Sequence, residues 1–275
     1  MVTKWDLKIV DDFFLAIEHD NDQFVFKMNH HHSIKFRSTE PDTNGKRTLR
    51  ISSLSGNPGF LRHLFRRYAS KIRQSLSHLS VVPMSQENGV MEFTLRSLDV
   101  MLEQLHNNYP QPPLPVLKSL VLTLTLSNTP FQWEQMDSDA ILRQMTRLVE
   151  LAPRSLESWK GAVVPVPGMT PAKVAEVFEH ATKIKDICIS EKLVAHQVRK
   201  DYEYIFHLVS RCPSLKEVAF EKVAIGNTRR ELRIISVIRG REIILKELLL
   251  CRPRVRHVRP RISPNLNFDL FFDLL

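Results

Sequence analysis

A short apolar pattern recurs along this 275-residue chain, and several copies begin just after a proline that ends a helical stretch. Each copy has apolar residues at its first and fourth positions, and most copies also at the sixth. Because 43% of the residues are apolar, chance alone would produce roughly 22 such patterns. The evidence for a repeat is therefore that the copies recur along the chain together with prolines that end the preceding helical stretches. The copies begin at Leu76, Leu117, Leu156, Ile184, Leu215 and Val255.

The copies are separated by 28–41 residues, and each interval holds one candidate helix. Apolar residues at helical spacing predict helices over 95–109, 138–152, from Thr170 onward, and over 198–211. Ser138 is a candidate N-cap, and Thr170 before Pro171 is a second helix start. Proline stops a helix because its ring and missing N–H prevent continuation. Prolines follow four predicted helix ends, at Pro110, Pro153, Pro213 and Pro253.

A helix followed by a short apolar strand, repeated six times, predicts an α/β fold. We expect an irregular leucine-rich-repeat-like solenoid with units of about 28–41 residues, in which parallel strands line one face and helices the other. The alternative is a non-repetitive α/β domain with a parallel sheet. Two copies depart from the pattern at their sixth position, where Gly161 and Pro260 stand.

The segment before the repeats has a different character. Residues 4–18 predict a short amphipathic helix, and "QFVFKM", "HSIKFRS" and "KRTLRISS" predict three short strands. We therefore divide the chain into a small α+β cap at 1–57 and the solenoid at 58–275. The apolar end "NLNFDLFFDLL" is expected to cap the last repeat, because a solenoid must hide its exposed ends. The residues predicted to pack there are Leu266, Leu270, Phe271 and Leu274.

The stretches "CPSLKEVAF", "APRSLESW" and "PVLKSLVLTL" resemble the irregular leucine-rich repeats in the C-terminal halves of F-box substrate receptor proteins. The resemblance covers about residues 58–262, and no F-box-like segment is found before it. It implies the substrate-recognition half of such a receptor, which chooses partners such as targets for ubiquitination. A ubiquitin-ligase adaptor is accordingly among the implied partners.

Three consecutive histidines, His30, His31 and His32, are the most conspicuous candidate metal ligands. Adjacent residues in an extended segment point to alternate sides, so three in a row do not converge on one ion. No further ligand stands nearby at helical spacing. We therefore interpret the histidines as a solvated polar run and expect no metal site.

The remaining candidates for chemistry favour a non-enzymatic protein. Cys188, Cys212 and Cys251 lie far apart, which fits buried thiols in a reducing compartment. The catalytic motifs GxSxG, HExxH and GxGxxG do not occur, and eight glycines leave little for a ligand-cradling loop. No apolar run approaches the roughly 20 residues that span a bilayer. We expect an intracellular protein, cytoplasmic or nuclear, that needs no cofactor.

Nearly all of the net charge of +9 lies in one C-terminal segment. Residues 226–262 contain eleven Lys or Arg and three Glu. The stretch 229–250 is predicted to be one long helix, or two broken at Gly240, with its arginines mostly outside the apolar stripe. Guanidinium groups suit bidentate contacts with carboxylates or phosphates. The predicted partner-binding residues are Arg229, Arg230, Arg252, Arg254, Arg256, Arg259 and Arg261.

Two kinds of partner fit these arginines. The first is a protein with an acidic surface, and in an extended segment Arg252, Arg254 and Arg256 would share one side for it. The second is the phosphate backbone of a nucleic acid, although the segment lacks aromatic residues for base stacking. The alternative that assigns no function to these arginines is a solvated repeat face, on which counter-ions relieve the repulsion between like charges.

Overall fold

The computed structural model describes residues 23–27, 32–38, 49–82, 90–122, 137–163, 168–193, 201–224, 229–239 and 243–253. Ten strands in these ranges form one sheet, and their order in space follows their order in the chain. The strands are β1 Gln23–Lys27, β2 Ser33–Ser38, β3 Leu49–Gly56, β4 His78–Val81, β5 Ser119–Leu122, β6 Ser158–Val163, β7 Asp186–Leu193, β8 Glu217–Ala224, β9 Arg229–Arg239 and β10 Ile243–Pro253. The helices are α1 Pro58–Arg73, α2 Val90–Asn108, α3 Ser138–Val149, α4 Pro171–Glu176 and α5 Asp201–Arg211.

The central part of the sheet is parallel and alternates with the helices. Strands β3 to β8 are parallel, each to the next, and one helix lies between each consecutive pair in the chain. Antiparallel strands extend the sheet at both ends, as β1–β2–β3 and β8–β9–β10. The fold is therefore α/β with a mostly parallel sheet, as the sequence predicted.

The strand register places five of the predicted copies at equivalent positions. The residues that begin them are all buried and stand just before β4 to β8. The fourth positions pair across the sheet, and so do the sixth positions. The fourth-position row is Leu79, Leu120, Trp159, Ile187 and Val218. The sixth-position row is Val81, Leu122, Gly161, Ile189 and Phe220.

A backbone hydrogen-bond motif repeats where these strands begin. The carbonyl of Ser77 accepts from both Lys118 and Ser119, at 2.8 and 3.0 Å. The same sharing by one carbonyl recurs in the next three units, with distances of 2.7 to 3.1 Å. The units are thus joined by one local geometry despite their different lengths. The carbonyls that accept twice are those of Ser77, Lys118, Glu157 and Lys185.

The glycine in the sixth-position row has a packing explanation. A Cβ atom at Gly161 would lie 2.3 Å from the ring of Trp159, two residues earlier in β6. That ring packs edge-on against Phe178 with centroids 5.0 Å apart. The tryptophan therefore fills the space of two apolar side chains, and the departure from the pattern at Gly161 is compensated within the same strand.

Strand β3 behaves like a further copy that the sequence pattern did not identify. Leu54 pairs with Leu79 of β4, and Gly56 pairs with Val81. A Cβ atom at Gly56 would lie 2.4 Å from the ring of Phe60. As in β6, an aromatic ring takes the place of the missing side chain. The three predicted N-terminal strands are confirmed as β1 to β3, while the predicted helix 4–18 lies outside the described residues.

Hydrogen bonds between strands continue across the predicted domain boundary at 57/58, since β3 pairs with β4. The division of the chain into 1–57 and 58–275 stays a prediction. The predicted C-terminal cap and the copy at Val255 lie outside the described residues.

Helices α3 and α4 begin within one residue of their predicted starts, whereas α2 begins five residues before the predicted position 95 and α1 was not predicted. Thr170 is the N-cap of α4, and its hydroxyl accepts from the N–H of Lys173 at 3.3 Å. The predicted cap Ser138 is wrong by one residue, because the side chain of Asp137 accepts from Asp139 and caps α3. In α5, Phe206 is 71% exposed. The buried face of α5 is formed by Tyr204, Ile205, Leu208 and Val209.

The predicted helix over 229–250 is wrong. Residues 229–239 and 243–253 form the antiparallel strands β9 and β10. In β9, Ile235 and Val237 are buried, whereas Ile234 is partly exposed and Ile238 is 42% exposed. Isoleucine residues thus lie on both faces of the strand, and this pattern also fits the spacing of an amphipathic helix. Pro253 consequently ends a strand rather than a helix.

Candidate interaction surface

The two faces of the parallel sheet differ in what covers them. The fourth-position and sixth-position rows join residues of all five helices in one apolar core. Alternate residues of each strand lie on the opposite face, which none of the described helices covers. We call this second face, with its two rows of residues, the open face. Its residues are His78, Ser119, Ser158, Asp186, Glu217 and Ser236 in one row and Ser80, Val121, Lys160, Cys188, Ala219 and Ile234 in the other.

The open face changes in character from one end to the other. All twelve of its residues are partly or largely exposed. On β4 and β5 these residues are uncharged serines, a histidine and Val121. On β6 to β8 they include the charged residues Lys160, Asp186 and Glu217. Sequence reasoning missed this surface because it used the apolar positions of each copy and left the positions between them unassigned.

Two carboxylates stand side by side on the open face. Asp186 of β7 pairs in register with Glu217 of β8. Burial raises the pKa of Asp186, although Lys185 and Lys216 oppose this rise. Burial and the charge of Asp186 raise the pKa of Glu217. Like charges opposite each other destabilise a sheet, so this end of the open face is electrostatically unfavourable to folding.

A carboxylate at the start of the strands shows the opposite behaviour. Glu157 accepts a hydrogen bond from Lys185 Nζ at 2.6 Å, and Lys118 Nζ lies 3.8 Å from its other oxygen. The hydrogen bond from Lys185 lowers the pKa of Glu157. Glu157, just before β6, is therefore matched by lysines, whereas Asp186 and Glu217 on the open face are like charges opposite each other.

The thiol on the open face is not poised for nucleophilic chemistry. Cys188 pairs in register with Lys160 of β6, and Lys160 Nζ reaches Glu221 Oε2 of β8 at 3.2 Å. Burial raises the pKa of Cys188 to about 11, so the thiol stays protonated at neutral pH. Cys212 is buried just after α5, as predicted. Cys251 lies in β10.

His32 is buried, which corrects its interpretation as part of a solvated run. The Nδ2 of Asn57 and the Nε2 of His32 are 2.9 Å apart, and the imidazole packs against the ring of Phe60. Asn57 Oδ1 accepts from the N–H of Phe60, so the amide nitrogen is left to donate to His32. Within the described ranges, no three His, Cys, Asp or Glu side chains are grouped to hold a metal ion.

The hairpin of β9 and β10 brings part of the predicted arginine site together. In its register, Arg252 lies opposite Arg230, and Pro253 lies opposite Arg229. Arg233 was expected outside the apolar stripe but is buried. The predicted side-by-side arrangement of Arg252 with the next arginines is untested, because four of the site residues lie outside the described residues. These are Arg254, Arg256, Arg259 and Arg261.

Comparison with known proteins gives no family. No family model matches the chain, and no curated protein matches it significantly. None of the described helices is both long and apolar enough to cross a membrane.

Proposed function

We propose that this protein is a leucine-rich-repeat-like solenoid that acts as a non-enzymatic protein-interaction module. In this proposal it resembles the substrate-recognition half of an F-box protein and chooses partners for a larger assembly. The repeated pair of rows supports the proposal most directly. Each unit from β4 to β8 buries its fourth and sixth positions against the helices and presents two others on the open face.

This arrangement suits recognition of a protein better than catalysis. Successive strands add residues to a broad surface, and each unit varies its outward residues without changing its core. The thiol of Cys188 on the open face stays protonated at neutral pH, because burial raises its pKa. Among the residues of the open face named above, the only carboxylates are the neighbouring Asp186 and Glu217. A broad surface with few reactive groups is typical of partner binding.

The arginines of the C-terminal hairpin are the second element of the proposed partner site. The backbone register sets Arg230 opposite Arg252, and the next pair along the strands is Arg229 with Pro253. Like charges at opposing positions weaken a sheet, and a bound anion would relieve that repulsion. We therefore propose that Arg229, Arg230 and Arg252 bind an acidic surface of a partner protein.

The same register also favours a second candidate function, binding of a nucleic-acid backbone. Phosphate contacts weaken steeply with salt because binding releases counter-ions. A protein interface with an apolar centre weakens far less. Measuring the complex at low and high ionic strength distinguishes these two functions.

Affinity purification from nuclease-treated cell extract tests the proposal. Wild type is compared with a variant in which Arg252, Arg254 and Arg256 are all changed to Glu. The matched control reverses three exposed arginines outside the proposed surfaces, Arg66, Arg143 and Arg154. A protein lost from the first variant and retained by the control supports the arginine site.

A second variant places two lysines on the open face, at Ser119 and Ser158. Loss of a protein from this variant assigns the binding site to the open face rather than to the hairpin. Wild-type partners that are recovered from untreated extract but are lost after nuclease treatment support the nucleic-acid function. If all variants retain the same proteins as the wild type, neither surface binds a partner and the proposal is wrong.

A further inference from the structure

A second basic segment lies in the first repeat units, far along the sheet from the C-terminal hairpin. Residues 45–86 contain eight Lys or Arg and no Asp or Glu. Acids elsewhere in the chain offset this charge in the total, so the net charge of the chain does not reveal it. Five of the eight basic residues lie on helix α1. They are Arg62, Arg66, Arg67, Lys71 and Arg73.

The outward side of α1 is polar and basic. The apolar residues of the helix, among them Phe60, Leu64 and Ile72, are buried in the core. None of the exposed residues of the helix has an apolar or aromatic side chain. The exposed residues are Gly59, Arg62, Arg66, Arg67, Ser70 and Lys71. Helix α1 therefore offers a partner charge but no apolar surface.

Ion pairs between neighbouring helices are found everywhere in the described layer except at α1. Each of the other neighbouring pairs of described helices has an ion pair across it, with N–O distances of 3.0 to 3.7 Å. These ion pairs are Arg147–Asp99, Lys173–Asp139 and Arg211–Glu176. Between α1 and α2, Arg62 Nε instead donates to the uncharged amide oxygen of Gln104 at 3.3 Å. Arg62 is therefore held in place without being neutralised.

Two further cations of α1 are free to bind an external anion. No hydrogen bond or ion pair joins the side chain of Arg66 or of Lys71 to another residue in the part of the chain that the structure describes. Arg62 and Arg66 are one helical turn apart and share one side of the helix. Arg67 is turned by about 100° from Arg66. The cations thus lie on both flanks of the outward side.

This surface suits one kind of polyanion better than the others. Protein interfaces usually have an apolar centre, and a helix that binds a membrane surface inserts an apolar face, which α1 has already buried in the core. Proteins that bind single-stranded nucleic acids also stack bases on aromatic rings, and α1 exposes none. Double-stranded DNA presents closely spaced phosphates, and its major groove admits an α-helix, whereas that of double-stranded RNA is too narrow.

We propose that α1 binds the phosphate backbone of double-stranded DNA through its exposed cations, without reading the base sequence. The contacts are made by Arg62, Arg66, Arg67 and Lys71. Guanidinium groups suit bidentate contacts with phosphate, and three of these four residues are arginines. The surface is separate from the open face and from the hairpin, and the proposal does not depend on the function proposed above.

Neutralising the two cations without a protein partner tests the proposal. Fluorescence anisotropy measures binding of a labelled DNA duplex of about 20 base pairs between about 50 and 200 mM salt. We expect the variant Arg66→Ala with Lys71→Ala to bind about tenfold or more weakly than wild type at the lowest salt. The slope of log K against log salt should become shallower by about two, because each lost phosphate contact removes nearly one released counter-ion.

The matched control removes two exposed arginines from another unit, Arg143→Ala with Arg154→Ala, and should keep the wild-type slope. Circular dichroism and thermal melting establish that each variant is folded, and Arg66→Gln with Lys71→Gln replaces the alanine variant if that variant does not fold. Arg66 remains a suitable control in the affinity purification, because nuclease treatment removes DNA from that extract.

A wild type that does not bind the duplex at about 50 mM salt would overturn the proposal. So would an α1 variant that keeps the affinity and the salt slope of wild type. If that variant binds normally and the variant with Arg252, Arg254 and Arg256 changed to Glu does not, the DNA site is the hairpin and the second candidate function is supported instead.

Two competitors test the choice of partner. An RNA duplex of the same length that binds more tightly than the DNA duplex would contradict the choice of DNA. Polyglutamate that displaces the labelled duplex at a lower concentration of charge than unlabelled DNA would identify α1 as a site for an acidic protein. Weaker competition by both supports DNA as the ligand.

Discussion

The parallel strands β3 to β8 and the hairpin β9–β10 belong to one sheet but arrange their apolar residues differently. In β4 and β5, the residues that face the helices are buried and apolar, and those between them are mostly polar or small. In β9, Ile234 and Ile235 lie on opposite faces, as do Val237 and Ile238. The parallel strands therefore reveal their two faces in the sequence, and the hairpin does not.

This difference shows where hydrophobic periodicity is informative. A strand with one polar face has a period of two that no helix reproduces. Apolar residues at 232, 234, 235, 237 and 238 satisfy both periods, so local pattern alone could not choose between helix and strand. Pairing with β8 decides the outcome, because it adds a hydrogen-bonded strand to an existing sheet edge.

The largest expected effect separates the two faces of a parallel strand. Leu120→Asp should unfold the protein, with a loss of more than about 4 kcal/mol, because a buried carboxylate finds no partner in the apolar core. Leu215→Asp should act in the same way. Ser119→Asp is the matched control on the open face and should change stability by less than about 1 kcal/mol. Urea unfolding measures all three, and near-normal stability of Leu120→Asp would refute the register.

The next prediction tests whether the hairpin is a strand. Residues 235 and 238 would share one side of a helix but lie on opposite faces of β9. Ile235→Ala should cost about 3 kcal/mol because Ile235 is fully buried, whereas Ile238→Ala should cost less than about 1 kcal/mol. Equal losses for the two variants in chemical unfolding would favour the helix instead.

A smaller effect is expected where a parallel strand departs from its own pattern. Gly161→Val should destabilise the protein by about 2 kcal/mol, because its side chain meets the ring of Trp159. The double variant Trp159→Leu with Gly161→Val restores the common pattern and should be more stable than the sum of the two single changes predicts. Thermal and urea unfolding of all four proteins measure this coupling. Strict additivity would mean that the two residues do not share one space.

The smallest expected effect concerns the charges of the open face. The folded-state pKa of Asp186 is raised, so its contribution to stability is complete below the unfolded pKa near 4 and is lost as pH rises. Asp186→Asn should therefore stabilise the protein at pH 7 by a few tenths of a kcal/mol, after solvent screening, and should have no effect at pH 3.

Glu157→Gln is the control of opposite sign. The folded-state pKa of Glu157 is lowered, so its contribution is present at neutral pH and is lost as pH falls. The variant should accordingly be less stable than wild type at pH 7. Stability curves of both variants between pH 3 and 7 measure the difference, and parallel curves would contradict it.

The sequence predicted the parallel part of the fold because the strands there are short and apolar on one face, and several of them follow a proline that ends a predicted helix. It did not identify β3 as a further copy, since Gly56 interrupts the pattern and only the three-dimensional position of Phe60 explains it. It also placed His32 in solvent, because its hydrogen bond to Asn57 joins residues 25 positions apart. Such long-range contacts leave no local signal.

The candidate surfaces were predictable only in part. The charge cluster identified the arginines, but their grouping depends on the hairpin register that sets Arg252 opposite Arg230. The open face was missed because its residues are ordinary ones, such as Ser119 and Ser158, that gain meaning only when strands align. Position in a sheet, rather than residue type, defines that surface.

The shared carbonyl at the start of each strand bears on how such a chain can change over evolutionary time. The acceptor residues are Ser77, Lys118, Glu157 and Lys185, so the joint uses backbone atoms and tolerates unrelated side chains. Intervals of 28–41 residues are joined by the same link. A duplicated or shortened unit could therefore enter the series without a new joint, and the number of strands can vary through recombination of whole units.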